Sequence, residues 1–209
     1  MRTARRAIVE SARRDCPTYT PFLGQSFTHM TGNHESEEGH LDVPEVALGF
    51  GFRIRRNQPL DESMYASKGQ PCFFTVRSYL RTIPFADPRV ADSTVQRLLD
   101  QRTKSCCEVE TFCLMPDHLH VIVTCAEDGD STRTFMQRFK GAAARGAHQM
   151  GWRGQLWQPR WYDRLLLDWR DDQLRSIADY IMQNPVRRGL SSHANKYPWS
   201  GDPVAIFDL

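Results

Sequence analysis

The sequence predicts an α+β fold of the ferredoxin-like kind, an antiparallel sheet built in the order β-α-β-β-α-β, with an additional helix at the C-terminal end. Three observations predict it. Residues 108–115 (EVETFCLM) and 118–125 (HLHVIVTC) alternate or run apolar with β-branched and aromatic residues, and only Pro116 and Asp117 separate them, so they form a hairpin. Residues 71–78 (PCFFTVRS) and 161–168 (WYDRLLLD) supply flanking strands of similar composition. Between these strands lie two segments with apolar residues at helical spacing.

The elements follow in order. After the strand at 71–78, residues 79–87 form a loop punctuated by Pro84. Pro88 suits the first turn of a helix, where its missing N–H is no loss, and Val90, Val95, Leu98 and Leu99 carry that helix to about Thr103. The hairpin comes next. Residues 131–150 open on a Ser or Thr able to cap a helix and are rich in Ala, with Phe135, Met136 and Phe139 as the apolar stripe. A Trp-rich connection leads to the strand at 161–168. Asp171 or Asp172 opens the last helix, which runs through Leu174, Ile177 and Ile181 and ends at Asn184-Pro185, because the residue before proline disfavours helix.

A chain of 209 residues with a formal net charge of +2 fits one domain with extensions and excludes a histone-like polycation. No apolar run approaches the ~18 residues of a membrane-spanning helix, and the N-terminal residues lack the apolar stretch of a secretory signal. A cytoplasmic location follows as the expectation, as does a reduced state for the six cysteines, read as small buried apolar residues. Residues 1–63 carry 8 Lys+Arg against 9 Asp+Glu and show no periodicity. They read as a poorly ordered extension, whose Arg2, Arg5, Arg6, Arg13, Arg14, Arg53, Arg55 and Arg56 could form a DNA-contacting arm or a solvated tail. Residues 64–200 then form the folded domain and 201–209 a tail.

Three constellations carry chemistry. His118 and His120 flank Leu119 on a strand, so both imidazoles share one face, about 6–7 Å apart at Cα, and can converge on a metal ion. Tyr180 and Asn184 lie one helical turn apart. With Ile177 at zero, Ile181 stands near 40° and Leu174 near 60°, while Asn184 and Tyr180 stand near −20° and −60°, at the edge of the buried stripe. From position 133 to 164 the chain holds seven cations, Arg133, Arg138, Lys140, Arg145, Arg153, Arg160 and Arg164, against one acid, Asp163, interleaved with Phe135, Phe139, Trp152, Trp157, Trp161 and Tyr162. Cations follow phosphates and flat rings stack on unpaired bases, so the mixture favours single-stranded or distorted nucleic acid over a solvated helix above core aromatics. Taken together, the three constellations suit a reaction in which a tyrosine hydroxyl attacks a metal-polarised phosphodiester.

Four blocks, MPDHLHVIV, LWQPRWYDRLLLD, IADYIMQNPVRRGL and the late YPWS, resemble in this order the single-tyrosine HUH transposases, and among them the REP-associated tyrosine transposases. The resemblance runs from about Phe73 to Trp199. It implies a ferredoxin-like fold and the cleavage and rejoining of single-stranded DNA beside a hairpin, through a 5′-phosphotyrosine link and with Mg²⁺ or Mn²⁺. By position, it implies metal ligation by His118, His120 and Asn184, and Tyr180 as nucleophile. Arg133, Arg138, Lys140, Arg145, Arg153, Arg160, Arg164, Trp157, Arg187 and Arg188 are the expected DNA contacts, and a monomer the expected state. Many relatives carry His two residues after the tyrosine, where this chain has Met182. Two other classes remain: a hairpin-binding protein that does not cleave, and an RNA-binding ferredoxin-like module, which lacks the aromatic signature expected on its strands.

Overall fold

The computed structural model describes residues 62–166 and 171–201. The expected N-terminal extension up to residue 61, the arginines of its possible arm, and the tail beyond 201 lie outside the described residues. The elements are α1 (Glu62–Tyr65), β1 (Cys72–Arg77), α2 (Pro88–Ser105), β2 (Cys107–Met115), β3 (His118–Cys125), α3 (Thr132–Gln149), β4 (Tyr162–Leu165), α4 (Asp171–Met182), α5 (Asn184–Arg187) and β5 (Ser200–Gly201).

All pairings are antiparallel, in the order β4-β1-β3-β2-β5. The first four strands therefore take the ferredoxin-like arrangement that the sequence predicts. The fifth was not legible. Its two residues offer no alternation, and what fixes it is the YPWS run: Leu114 N donates to Trp199 O at 2.8 Å, Tyr197 Oη donates to Leu114 O at 3.0 Å, and Trp199 Nε1 donates to Asp92 Oδ1 at 2.9 Å. That block clamps the sheet edge to α2.

The two long helices begin as their sequences dictate. Asp87 Oδ1 accepts from Arg89 N at 2.9 Å with Pro88 in the first turn of α2, and Ser131 Oγ accepts from Thr134 N at 3.1 Å ahead of α3. The helices approach closely at Gly146, where a Cβ would stand 2.5 Å from Ser93 Oγ. Phe135, Met136 and Phe139 of α3 are fully buried, each stabilising the fold by about 1.5–3 kcal/mol through its removal from water.

Strand alternation divides the sheet into two faces. Phe74 faces the α3 side: its ring meets Trp161 edge-on, and Lys140 of α3 lies over that indole at 5.0 Å. Phe73, Thr75, His118 and His120 belong to the other face, where His120 meets Tyr180 of α4. The additional helix thus covers the face opposite α3. It ends at Met182, short of the Asn184-Pro185 stop that the sequence predicts, and Asn184 and Pro185 instead open the short α5, where proline in the first turn loses no hydrogen bond.

The cysteine expectation is corrected at one pair and at one further residue. Cys107 and Cys125 are joined by a disulfide; Cys72 and Cys113 are free and buried as expected, whereas Cys106 is free but exposed. The cause of the pairing is a one-residue bulge. The hairpin pairs Met115 with His118 and Thr111 with Ile122, but beyond the bulge Val109 pairs with Val123 and Cys107 with Cys125. Without that extra residue, Cys107 would face Ala126. No helix among the described residues is long and apolar enough to cross a membrane.

Candidate active site

The tight turn at Pro116-Asp117 delivers His118 at the first position of β3, and the pleat places His120 beside it on the same face. Their Nε2 atoms lie 3.1 Å apart, with the rings nearly perpendicular at 81° and centroids 4.6 Å apart. Each Nδ1 is engaged elsewhere. That of His118 meets Asp117 Oδ1 at 2.6 Å, and that of His120 meets Thr75 Oγ1 at 2.9 Å across the β1–β3 ladder. Phe73 stacks on His120 at 5.7 Å and 19°. Two side chains on the neighbouring strand and one in the turn therefore fix both rings.

This arrangement fits a divalent ion. When both Nδ1 atoms carry the proton and donate to Asp117 and Thr75, the two Nε2 atoms turn lone pairs toward each other, a repulsion that a shared cation relieves. Adjacent ligands of an octahedral ion at about 2.1 Å stand ~3.0 Å apart, which matches the observed 3.1 Å. Burial holds the His120 imidazole well below its ordinary pKa, reinforced by the charges of His118, Arg77 and Arg187, so it stays neutral and able to ligate. Burial pushes the Asp117 carboxyl up, but the His118 hydrogen bond and the charges of His118 and Arg77 more than reverse it, and Asp117 remains below the usual carboxylate value. Among the described residues no three His, Cys, Asp or Glu side chains gather as a metal cluster.

Tyr180 stands across from this pair, its ring centroid 6.4 Å from that of His120 at 62°. Its carbonyl oxygen, in the last turn of α4, accepts from Asn184 Nδ2 at 3.1 Å and from Arg187 Nη2 at 2.7 Å. Asn184 Nδ2 also donates to Ile181 O at 3.2 Å, which leaves Oδ1 as the amide atom open to a cation. The Arg187 guanidinium lies 4.1 Å from the centroid of the Tyr180 ring. The structure thus brings His118, His120 and Tyr180 together, and ties Asn184 and Arg187 to the tyrosine turn.

The cationic residues do not form one stripe. Arg133, Arg138, Lys140 and Arg145 belong to α3, in the layer on the far side of the sheet from Tyr180, while Arg164 shares the register of Phe73 on the tyrosine face. Arg138 pairs with Asp130, Arg133 lies over the Tyr65 ring at 5.7 Å, and Lys140 Nζ donates to Gln158 O at 2.7 Å and Pro159 O at 3.2 Å. Arg145, Arg153, Arg160, Arg187 and Arg188 are exposed. The reading of Trp157 as a DNA-contacting ring is corrected. It is 4% exposed and packs against Phe85 and Phe139 at 4.9 and 5.9 Å, so no face of the indole is left for a base.

Sequence reasoning missed the parts played by Thr75 and Asp117. Thr75 becomes a partner of His120 only through the β1–β3 register, which no local pattern reveals. Asp117 directly precedes His118 and reads as a turn residue; a carboxylate next to a suspected metal-binding histidine was the available signal.

Residues 75–184 match the family described as Transposase IS200 like. Over 141 residues, 65% of this chain and 78% of the relative, the sequence is 30% identical to the REP-associated tyrosine transposase of Escherichia coli (strain K12). A Haemophilus influenzae relative named for the same transposase type is 27% identical over 103 residues, 44% of this chain and 57% of that protein. The fold is similar to that of a REP-associated tyrosine transposase solved bound to a REP hairpin, with a TM-score of 0.53, 22% identity, and coverage of 71% of this chain and 81% of the other.

Proposed function

This chain belongs to the REP-associated tyrosine transposase family, and we propose from that premise that it cleaves and rejoins single-stranded DNA beside a hairpin, with Tyr180 as the nucleophile. The observation that carries this reading is the convergence of the His118 and His120 Nε2 atoms, 3.1 Å apart, opposite the Tyr180 ring.

The Tyr180 hydroxyl attacks phosphorus, and the bond from phosphorus to the 3′-oxygen breaks. The phenolic proton is lost, the departing 3′-oxygen gains one, and the DNA is left with a free 3′-hydroxyl and a 5′-phosphotyrosine. One phosphodiester replaces another, so attack by a 3′-hydroxyl on the phosphotyrosine reverses the step and joins strands. His118 and His120, with the Asn184 amide oxygen, would hold Mg²⁺ or Mn²⁺, which when bound supplies Lewis-acid polarisation of the phosphate. Asp117 and Thr75 keep the imidazoles oriented, and Phe73 and Tyr180 shield His120 from water. The exposed Arg187 and Arg188, with Arg164 on the same side of the sheet, form the cationic approach to the strand. The protein acts as a monomer in the cytoplasm.

The test is covalent capture. Wild-type protein, Mn²⁺ and a labelled single strand bearing a palindromic hairpin are incubated and run on a denaturing gel. A protein–DNA adduct is expected, and failure with every hairpin offered would support the alternative of a non-cleaving hairpin-binding protein.

A further inference from the structure

The segment between β1 and α2 carries features that the chemistry described so far does not use. Leu80 and Arg81 are consecutive non-glycine residues in the left-handed region, at φ 50° and 54°. Side chains at such positions crowd the backbone, so each costs free energy. Among the described residues the only other case is Cys106, which is accounted for as the C-cap of α2. The same segment exposes the two most exposed large apolar side chains among those residues, Leu80 at 74% and Ile83 at 62%.

The base of this segment is held firmly. Ser78 is fully buried, its Oγ donates to Thr82 O, and its N donates to Asp117 O at 2.8 Å; Tyr79 N donates to Leu156 O at 2.9 Å. The strain is therefore fixed by surrounding structure rather than relaxed, as expected where a conformation serves binding. The location is equally specific. Arg77 is the ladder partner of His118, and Leu80 lies three residues further on, within about 11 Å of Arg77 by chain reach. The tip is apolar at Leu80 and Ile83 and cationic at Arg81, which is also exposed.

An aliphatic tip beside a cation, at the edge of a phosphodiester-cleaving site, is complementary to an unpaired base and its phosphate. We propose that Leu80 and Ile83 form a wedge that inserts against an unpaired base at the foot of the DNA hairpin, with Arg81 on the adjoining phosphate. This rests on the single-stranded DNA reading given above. Charge complementarity and continuity with the histidine pair favour DNA over a protein partner or a second copy of the chain.

The experiment uses hairpin oligonucleotides with 2-aminopurine at successive unpaired positions, and three variants of the full chain: Leu80→Ser/Ile83→Ser, Leu80→Gly and Arg81→Ala. Equilibrium binding is measured in EDTA, adduct formation separately with Mn²⁺. With wild type, one position next to the hairpin foot should brighten as its base unstacks. Leu80→Ser/Ile83→Ser should lose that signal and bind about tenfold more weakly with an unchanged salt slope, because no charge is removed. Arg81→Ala should reduce the slope by about one phosphate contact. Leu80→Gly should weaken binding while raising Tm by about 2–4 °C, as glycine tolerates the left-handed backbone. Wild-type affinity and fluorescence in the double variant would overturn the wedge, as would a change of oligomeric state by light scattering with DNA binding intact. If wild type shows the fluorescence signature but forms no adduct, the cleavage reading fails and the wedge stands. If adducts form and the double variant binds like wild type, the wedge alone fails.

Discussion

Arg187 lays its guanidinium 4.1 Å from the centroid of the Tyr180 ring and donates from Nη2 to the Tyr180 carbonyl oxygen at 2.7 Å. Arg187, the last residue of α5, thus grips the tyrosine at both backbone and ring. A cation over an exposed aromatic face contributes about 0.5–1 kcal/mol, too little to decide folding but enough to fix a ring's orientation.

Arg187→Ala should therefore leave thermal stability within about 1 kcal/mol of wild type while slowing adduct formation ten- to a hundredfold in single-turnover assays. Arg187→Lys, which keeps the charge but cannot fork between ring and carbonyl, should recover only part of that rate. A variant that is much less stable yet cleaves normally would assign Arg187 to the fold instead.

Much of this site was legible from local pattern and some was not, for identifiable reasons. The pairing of His118 with His120 on one face follows from the two-residue pleat, and Tyr180 with Asn184 from the 3.6-residue turn, because both periodicities act within a few residues. What depends on register between distant segments stayed hidden. Thr75 meets His120 through a ladder that joins positions 45 residues apart. Cys107 meets Cys125 because a single bulge near Val109 shifts the hairpin by one residue. Trp157 sits among cations in the sequence, yet its ring fills the space between Phe85 and Phe139, a choice that packing makes and composition does not disclose.

Lys140 should prove structural rather than DNA-contacting, because its ammonium is committed to two carbonyls and the Trp161 ring. Lys140→Met should cost about 1–2 kcal/mol of stability and leave the salt slope of DNA binding unchanged, whereas Arg188→Ala should lower that slope by about one. The pH dependence offers a second readout. Burial pushes the Lys140 pKa from 10.5 down to about 8. Between those values the unfolded chain binds the extra proton, so Lys140's contribution to stability rises with pH. The Tm advantage of wild type over Lys140→Met should accordingly grow from pH 7.5 to pH 9.5.

The histidine pair separates cleavage from recognition. His118→Ala or His120→Ala should abolish adduct formation and leave hairpin affinity nearly intact, since the cationic approach is made by other side chains, Arg164, Arg187 and Arg188. Asp117→Asn should weaken Mn²⁺ binding about ten- to a hundredfold, measured by electron paramagnetic resonance of the free ion. Equal loss of DNA affinity in the histidine variants would remove that separation.

The central claim is that Tyr180 forms the covalent bond to DNA. A denaturing gel of wild type and Tyr180→Phe, each incubated with Mn²⁺ and a hairpin-bearing single strand, tests it most directly. Wild type should yield a shifted adduct and Tyr180→Phe none, with equal hairpin binding under native conditions; an adduct that persists in Tyr180→Phe would contradict the assignment.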